Sequence, residues 1–333
     1  MEDYCKDNRR NARNQAKNDH FKGGKNKARR HKDTVIENER NSTQEAEISH
    51  LGFKIRNALK EQTLKIIYDQ RDMDADGNLS KDVHPDYIFG DSYIKETKLC
   101  LQKNEIKLHI PAPIHDDGPN VEFPIQTLIS FIMDIDEKDI DKWVILNYAH
   151  PTKPGGGFEK DASVYEEALV LSSCLYRALN DGEGKSMYEK NKQLEESEET
   201  DNGVYRSDLI YSPNVPFFRD ADFDMIEDWK VNYQNISIIS IPAVNYKKYS
   251  KSDEFSKDEY ETIMRNRINR IYRAALKNGH TKIVLGPWGC GLDGGPLKNI
   301  IKWFSEDELS DLFDEIYFLC DDEETSKIME ENF

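Results

Sequence analysis

Two adjacent acids, Glu166 and Glu167, follow shortly after a run of three glycines, Gly155-Gly156-Gly157. Glycines have no Cβ, so their backbone N–H groups can approach a phosphate closely. The start of a helix also favours anions. A Glu beside a bound diphosphate feels a second negative charge, which raises its pKa and suits it to proton transfer. Together the pieces read as chemistry on a phosphorylated sugar. The plain alternative is a glycine loop ahead of a helix with an acidic first turn, because glycine loops alone are weak signals.

Positioning these residues takes a strand, a loop and a helix. Trp143–Tyr148 is a short apolar run, the pattern of a buried strand. Pro151 and Pro154 stop regular structure, and from Tyr165 the spacing of Ala168, Leu169, Leu171, Ser172 and Leu175 predicts a helix to about residue 180. Further on, strands are expected at 208–211, 236–241, 281–286 and 315–320, with helices at 258–278 and 296–304. Gly279 is a C-terminal helix stop. Upstream, 51–68 carries an irregular helical stripe, 87–112 reads as β-rich through Tyr87–Phe89 and Glu105–Ile110, and Phe123–Met133 reads as a helix. The charged stretch 181–202 reads as a surface loop or lid-like insertion. This alternation predicts an α/β sandwich with helices on both faces of the sheet. Ligands in such sheets bind beyond the carboxyl ends of the strands, where both glycine-rich loops fall.

The chain has 333 residues and a formal net charge of −17. Residues 1–32 hold eleven Lys or Arg against four Asp or Glu and show no apolar periodicity. The expected organisation is a disordered basic tail over 1–48 and one domain over 49–333, with an accessory segment at 49–135. The tail is a solvated arm against its own acidic domain, or it binds nucleic acid or acts as a nuclear signal. No run reaches the ~18 apolar residues of a membrane span, and no secretory signal is expected at the polar, basic start. Five scattered cysteines without a CxxC pair argue for a reducing, intracellular compartment, cytoplasmic or nuclear, and against zinc.

Several motifs lead nowhere. Asp72–Val83 opens like an EF-hand loop but has Val83 where the twelfth-place Glu belongs. Gly182–Ser186 ends like a phosphate-binding loop, yet Leu179 replaces the first glycine. No GxGxxG follows a strand, so a nicotinamide cofactor has no support, and no cofactor or metal is expected. His150 reads as a loop histidine bonded to backbone. Cys290 reads as a small side chain in a tight turn. Trp229 and Trp303 read as packing residues in helices.

The motifs resemble those of poly(ADP-ribose) glycohydrolases, the microbial type above all. Asn147-Tyr148-Ala149, Pro154–Gly157 and Tyr165-Glu166-Glu167 are similar to that family's strand end, glycine loop and paired acids. Leu285–Gly291 resembles its Leu-Gly-x-Trp-Gly-Cys-Gly loop, and Tyr211–Arg219 and Ile239–Asn245 are weaker matches in the expected order. The resemblance implies a macrodomain-like fold, a three-layer α/β/α sandwich with a mixed sheet, and hydrolysis of the ribose bond of poly(ADP-ribose) or of ADP-ribosylated protein. By the same resemblance Glu167 is the catalytic acid and base, and Glu166 orients the sugar. Gly155, Gly156, Gly157, Gly289, Cys290 and Gly291 surround the diphosphate, and Asn147, Phe158 and Tyr165 line the substrate site. Tyr165 replaces a usual Gln, and Asp293 replaces an aromatic that packs near the distal ribose. These departures leave the carrier open: polymer, a mono(ADP-ribosyl) adduct, or a modified nucleic-acid base. A macrodomain that binds ADP-ribose without cleaving it is the main rival reading; an RNA-associated module led by the basic arm is the third.

Overall fold

The computed structural model describes residues 53–69, 71–73, 79–83, 89–108, 118–158, 164–197 and 202–333. The basic tail, the centre of the EF-hand-like loop and part of the charged insertion lie outside them. The described residues belong to one compact unit, Leu51–Phe333.

In chain order the elements are α1 (Phe53–Leu64, continued by a π-helical turn Lys65–Asp69), β1 (Arg71–Met73), β2 (Leu79–Val83), α2 (Ser92–Lys95), β3 (Lys98–Cys100), β4 (Asn120–Glu122) and α3 (Leu128–Asp134). There follow β5 (Trp143–Tyr148), α4 (Val164–Ser172), α5 (Leu175–Asn180), α6 (Lys185–Glu195), β6 (Leu209–Phe217), α7 (Trp229–Asn232) and β7 (Gln234–Ile241). The chain closes with α8 (Tyr246–Tyr249), α9 (Lys257–Lys277), β8 (Lys282–Leu285), α10 (Leu297–Ser305), β9 (Glu315–Phe318) and α11 (Glu323–Glu330). Strands β1 and β2 pair with each other, and the other seven form one mixed sheet in the order β3-β6-β7-β5-β8-β9-β4.

Strand β5 is central. It pairs in parallel with β7 on one side, Ile145 opposite Ile238, and with β8 on the other, Ile145 opposite Val284. Its first five residues are all buried, as a strand covered on both faces requires. Val144 and Leu146 join the core that includes Met264, Ile268 and Ile271 of α9 and Ile300, Ile301 and Phe304 of α10. By the two-residue alternation of a strand, Ile145 and Asn147 face the opposite side, towards α4. The chain crosses from β7 to β8 over β5, so β5 lies where the strand order switches.

The expected α/β architecture is present, with differences in detail. Glu105–Leu108 is irregular rather than strand, although Ile106 is buried; the outer strand is Lys98–Cys100, paired antiparallel with β6. The helix expected from Phe123 begins only at Leu128. Ile125 bridges Cys320, and Thr127 caps the helix by accepting the Ser130 N–H at 3.2 Å. The helix expected over 165–180 is two helices. At the junction Ser173 bridges Phe217, and the Cys174 N–H donates to the Pro216 carbonyl at 2.9 Å. Strand β6 runs past its prolines because the ladder shifts register between Ser212 and Val215, with Asn214 in the left-handed region at φ 48°. The insertion expected as a loop or lid holds the eleven-residue helix α6. Its buried Met187, Tyr188 and Asn191 share one face, and its Lys and Glu residues are good helix formers. Among the described residues no helix is long and apolar enough to cross a membrane, and no cluster of three His, Cys, Asp or Glu is placed to hold a metal.

Candidate active site

The first glycine loop starts where β5 leaves the sheet. The His150 Nδ1 accepts the N–H groups of Thr152 and Lys153 at 3.1 and 3.2 Å. Burial, helped by the Lys153 charge, pushes the imidazole down to about 4, so it is a neutral acceptor that shapes the turn. Gly155 and Gly156 then take left-handed conformations, φ 69° and 66°. A Cβ on Gly155 would sit 2.9 Å from a Val170 methyl, and one on Gly156 would sit 2.9 Å from Glu166 Oε2. The loop therefore folds down onto α4, at a distance only glycine allows.

Glu166 is fully buried beneath it. Its Oε1 accepts from Asn147 Nδ2 at 3.2 Å, and its Oε2 accepts the His150 N–H at 2.8 Å. Asn147 Nδ2 also donates to Ser240 Oγ on β7 at 3.1 Å. Burial raises the carboxyl to about 8; the donors on His150, Asn147 and Gly155 pull it back only in part. Glu166 thus ties loop, strand and helix together, with neither oxygen turned to solvent. Glu167 follows in the same first turn of α4 and is 5% exposed.

Two other predicted site residues are built into the walls. Phe158 is buried, its ring edge-on to Tyr176 at 4.9 Å, so it anchors the end of the loop. Tyr165 stacks flat on Tyr148, with centroids 3.9 Å apart and planes 1° from parallel. The Tyr148 hydroxyl in turn occupies the space a Cβ on Gly286 would need, 2.1 Å away. That contact links the two glycine loops, since Gly286 follows β8.

The second loop turns around Trp288, wholly buried, whose Nε1 donates to the Ile241 carbonyl at 3.2 Å. Gly289 has φ 77°, and a Cβ there would lie 2.8 Å from that of Ala243. Burial raises the Cys290 thiol to about 12, so it stays protonated. Burial likewise lifts Asp293 to about 6, against the pull of Arg267 and Lys247.

Backbone accounting separates the amides. The Gly156 N–H donates to the Lys153 carbonyl at 3.0 Å, and the Cys290 N–H to the Pro287 carbonyl at 3.0 Å. Gly155 supports Glu166. Among the described residues, the N–H groups of Gly157, Gly289 and Gly291 have no acceptor. The structure brings the two loops to the ends of adjacent parallel strands, so these donors are suited to an anion between them. Sequence reasoning missed Asn191 on α6. It is fully buried, donates to the Pro151 carbonyl at 3.0 Å and accepts the Arg206 N–H at 2.9 Å, bracing the loop from behind. A polar residue inside the apolar stripe of a charged helix was the available signal.

This is an α/β fold in which two glycine loops meet at the switch point of a mixed sheet. The family model for the microbial-type PARG catalytic domain matches residues 93–220, the segment that contains the first loop and both acids. A poly(ADP-ribose) glycohydrolase structure from Thermomonospora curvata is similar at 23% identity and TM-score 0.69, covering 84% of this chain and 100% of that one. A structure from the same organism bound to the inhibitor ADP-HPD gives 24% and 0.66, with the same coverage. One from Deinococcus radiodurans in complex with ADP-ribose gives 27% and 0.56, covering 64% of this chain and 84% of that one. No curated protein matches the chain. The likeness to the microbial-type PARG catalytic domain is carried by residues 93–220.

Proposed function

We propose that the chain hydrolyses the ribose glycosidic bond of poly(ADP-ribose), with Glu167 as general acid and then general base. The observation that supports this most is the pairing of two glycine loops beyond β5 and β8, with both acids in the helix turn below the first. The diphosphate lies between the loops and takes the free N–H groups of Gly157, Gly289 and Gly291. Protonated Glu167 gives its proton to the departing ribose oxygen as the bond to C1″ breaks. The ring oxygen shares the positive charge, which the diphosphate steadies. Water then adds to C1″ and returns a proton to ionised Glu167, leaving ADP-ribose and a polymer one unit shorter. Glu166, held by Asn147 and His150, fixes the loop and the start of α4 that carries Glu167.

The test is release of free ADP-ribose from polymer-modified protein. Glu167→Gln should lower turnover by about 10²–10⁴-fold with ADP-ribose binding retained. Binding without release by the wild type would instead support a reader of ADP-ribose. The proposed substrates include ADP-ribosylated protein as well as the polymer. The proposal includes an intracellular site of action, which the free thiols Cys100, Cys174, Cys290 and Cys320 support. It also includes a polyanion, polymer or nucleic acid, as partner of the basic arm 1–32. Deleting that arm should leave ADP-ribose release intact and flatten the salt dependence of polyanion binding.

A further inference from the structure

The far end of α4, away from the acids, has an anchor of its own. Its last carbonyls meet two other elements. Ser172 accepts the N–H groups of Phe218 and Arg219, just after β6, at 2.9 and 3.4 Å. Leu171 accepts Thr63 Oγ1 of α1 at 3.1 Å and also Arg219 Nη1. The same Nη1 donates to Thr63 Oγ1 at 2.7 Å, and Arg219 Nη2 donates to Gln62 Oε1 at 2.8 Å. One guanidinium thus joins α1, the end of β6 and the end of α4.

Arg219 is fully buried, and among the described residues no carboxylate pairs with it. Its Nε has no hydrogen-bond partner there. Burial pushes the guanidinium down to about 10, which leaves it charged at neutral pH. A cation taken out of water without a counter-ion is costly, and an apolar side chain of similar volume would fill the space at less cost. What favours the charge here is the carbonyl end of α4, where a cation is stabilised.

Helix α4 has only nine residues. Glu166 in its first turn is pinned by Asn147 and His150. A short helix pinned at one end can still tilt and roll; pinned at both ends, its axis is fixed. Successive helical side chains diverge by about 100°, so the Glu167 carboxyl stands off the Glu166 pin and moves with any roll. A misplacement of about 1 Å at a reacting group costs up to roughly 10²-fold in rate. The loops are shaped by other contacts, those of His150, Asn191 and the Tyr148–Gly286 packing. Ligand binding and placement of the acid are therefore separable.

We propose that Arg219 is a positioning residue: by tying the end of α4 to α1 and β6, it aims Glu167 at the ribose bond. The inference rests on the proposed function, since it needs Glu167 as the acid.

The experiment compares the full chain with Arg219→Met, Arg219→Lys and Thr63→Val. It reads kcat and KM on polymer-modified protein, Kd for ADP-ribose, and Tm. Arg219→Met leaves the Leu171 carbonyl its Thr63 donor and removes the buried charge, so Tm should move by only a few degrees. Its kcat should fall about tenfold or more, while KM and Kd stay within about threefold of wild type. Arg219→Lys keeps a donor for the Leu171 carbonyl and should recover most of kcat, which a space-filling role would not explain. Thr63→Val removes only the hydroxyl between Arg219 and α4; it should lower kcat by about threefold at unchanged Kd. Unchanged kcat in Arg219→Met or, where that variant does not fold, in Thr63→Val would overturn the inference. So would Arg219→Lys no faster than Arg219→Met, or a fall in kcat matched by an equal loss of ADP-ribose affinity. A wild type that binds ADP-ribose and releases none would sink the proposed function and this role with it. Release by the wild type beside an unaffected Arg219→Met sinks this role alone.

Discussion

Glu166 and Glu167 are neighbours in sequence with different surroundings. The motif singled out both as candidates, but it could not say that Glu166 points under the loop, because that depends on Asn147 and His150 arriving from the strand end. A carboxyl there keeps its proton well above its usual range. Its pKa rises from 4.5 to about 8 because burial outweighs its donors. The stability that neutral Glu166 contributes is therefore fully present below the unfolded value and is lost as pH rises through about 8. The Tm of the wild type should fall between pH 5 and 8 more steeply than that of Glu166→Gln, whose amide cannot ionise. Slopes are the readout, since the amide also loses one acceptor. Parallel slopes would mean that Glu166 is ionised throughout. His150 and Cys290 fit the roles expected of them, a backbone-bonded loop histidine and a small turn residue, because both are defined by their immediate neighbours.

At the scale of elements, long apolar periodic segments were readable: β5, β7, α9 and α10 lie within a residue or two of their expected spans. Short outer strands were not. Lys98–Cys100 becomes a strand because β6 supplies a partner, while Glu105–Leu108 has strand-like residues and no partner. Helix α6 was hidden by its own charge, although Met187, Tyr188 and Asn191 mark its buried face. The contact between Tyr148 and Gly286 was also beyond sequence reasoning, since it joins strands far apart in the chain. It gives a clear expectation. A Cβ at residue 286 would meet the Tyr148 hydroxyl at 2.1 Å and the Leu319 carbonyl at 2.6 Å. Gly286→Ala should destabilise the fold by about 1–3 kcal/mol, read as a lowered Tm. Tyr148→Phe should recover only part of this, because the carbonyl contact remains. An unchanged Tm would show that the two loops are not packed as described.

For the molecule as a whole, the sheet order explains why the two loops meet. Strand β5 has β7 and β8 as parallel neighbours, so the turns after β5 and β8 open on the same edge of the sheet. Alternating strands and helices made this architecture foreseeable, and so the approximate place of the two glycine loops. What the pattern could not supply was the division of the loop amides between internal bonds and free donors. The proposed function rests on that division: Gly155, Gly156 and Cys290 hold the loops in shape, and the amides of Gly157, Gly289 and Gly291 are left for the proposed diphosphate. The most direct measurement is an ADP-ribose titration of ¹⁵N-glycine-labelled full chain, followed through backbone amide signals. The account predicts large downfield proton shifts for Gly157, Gly289 and Gly291 that saturate together, with small shifts for Gly155 and Gly156. Saturable ADP-ribose binding that leaves those three amides unmoved would contradict it.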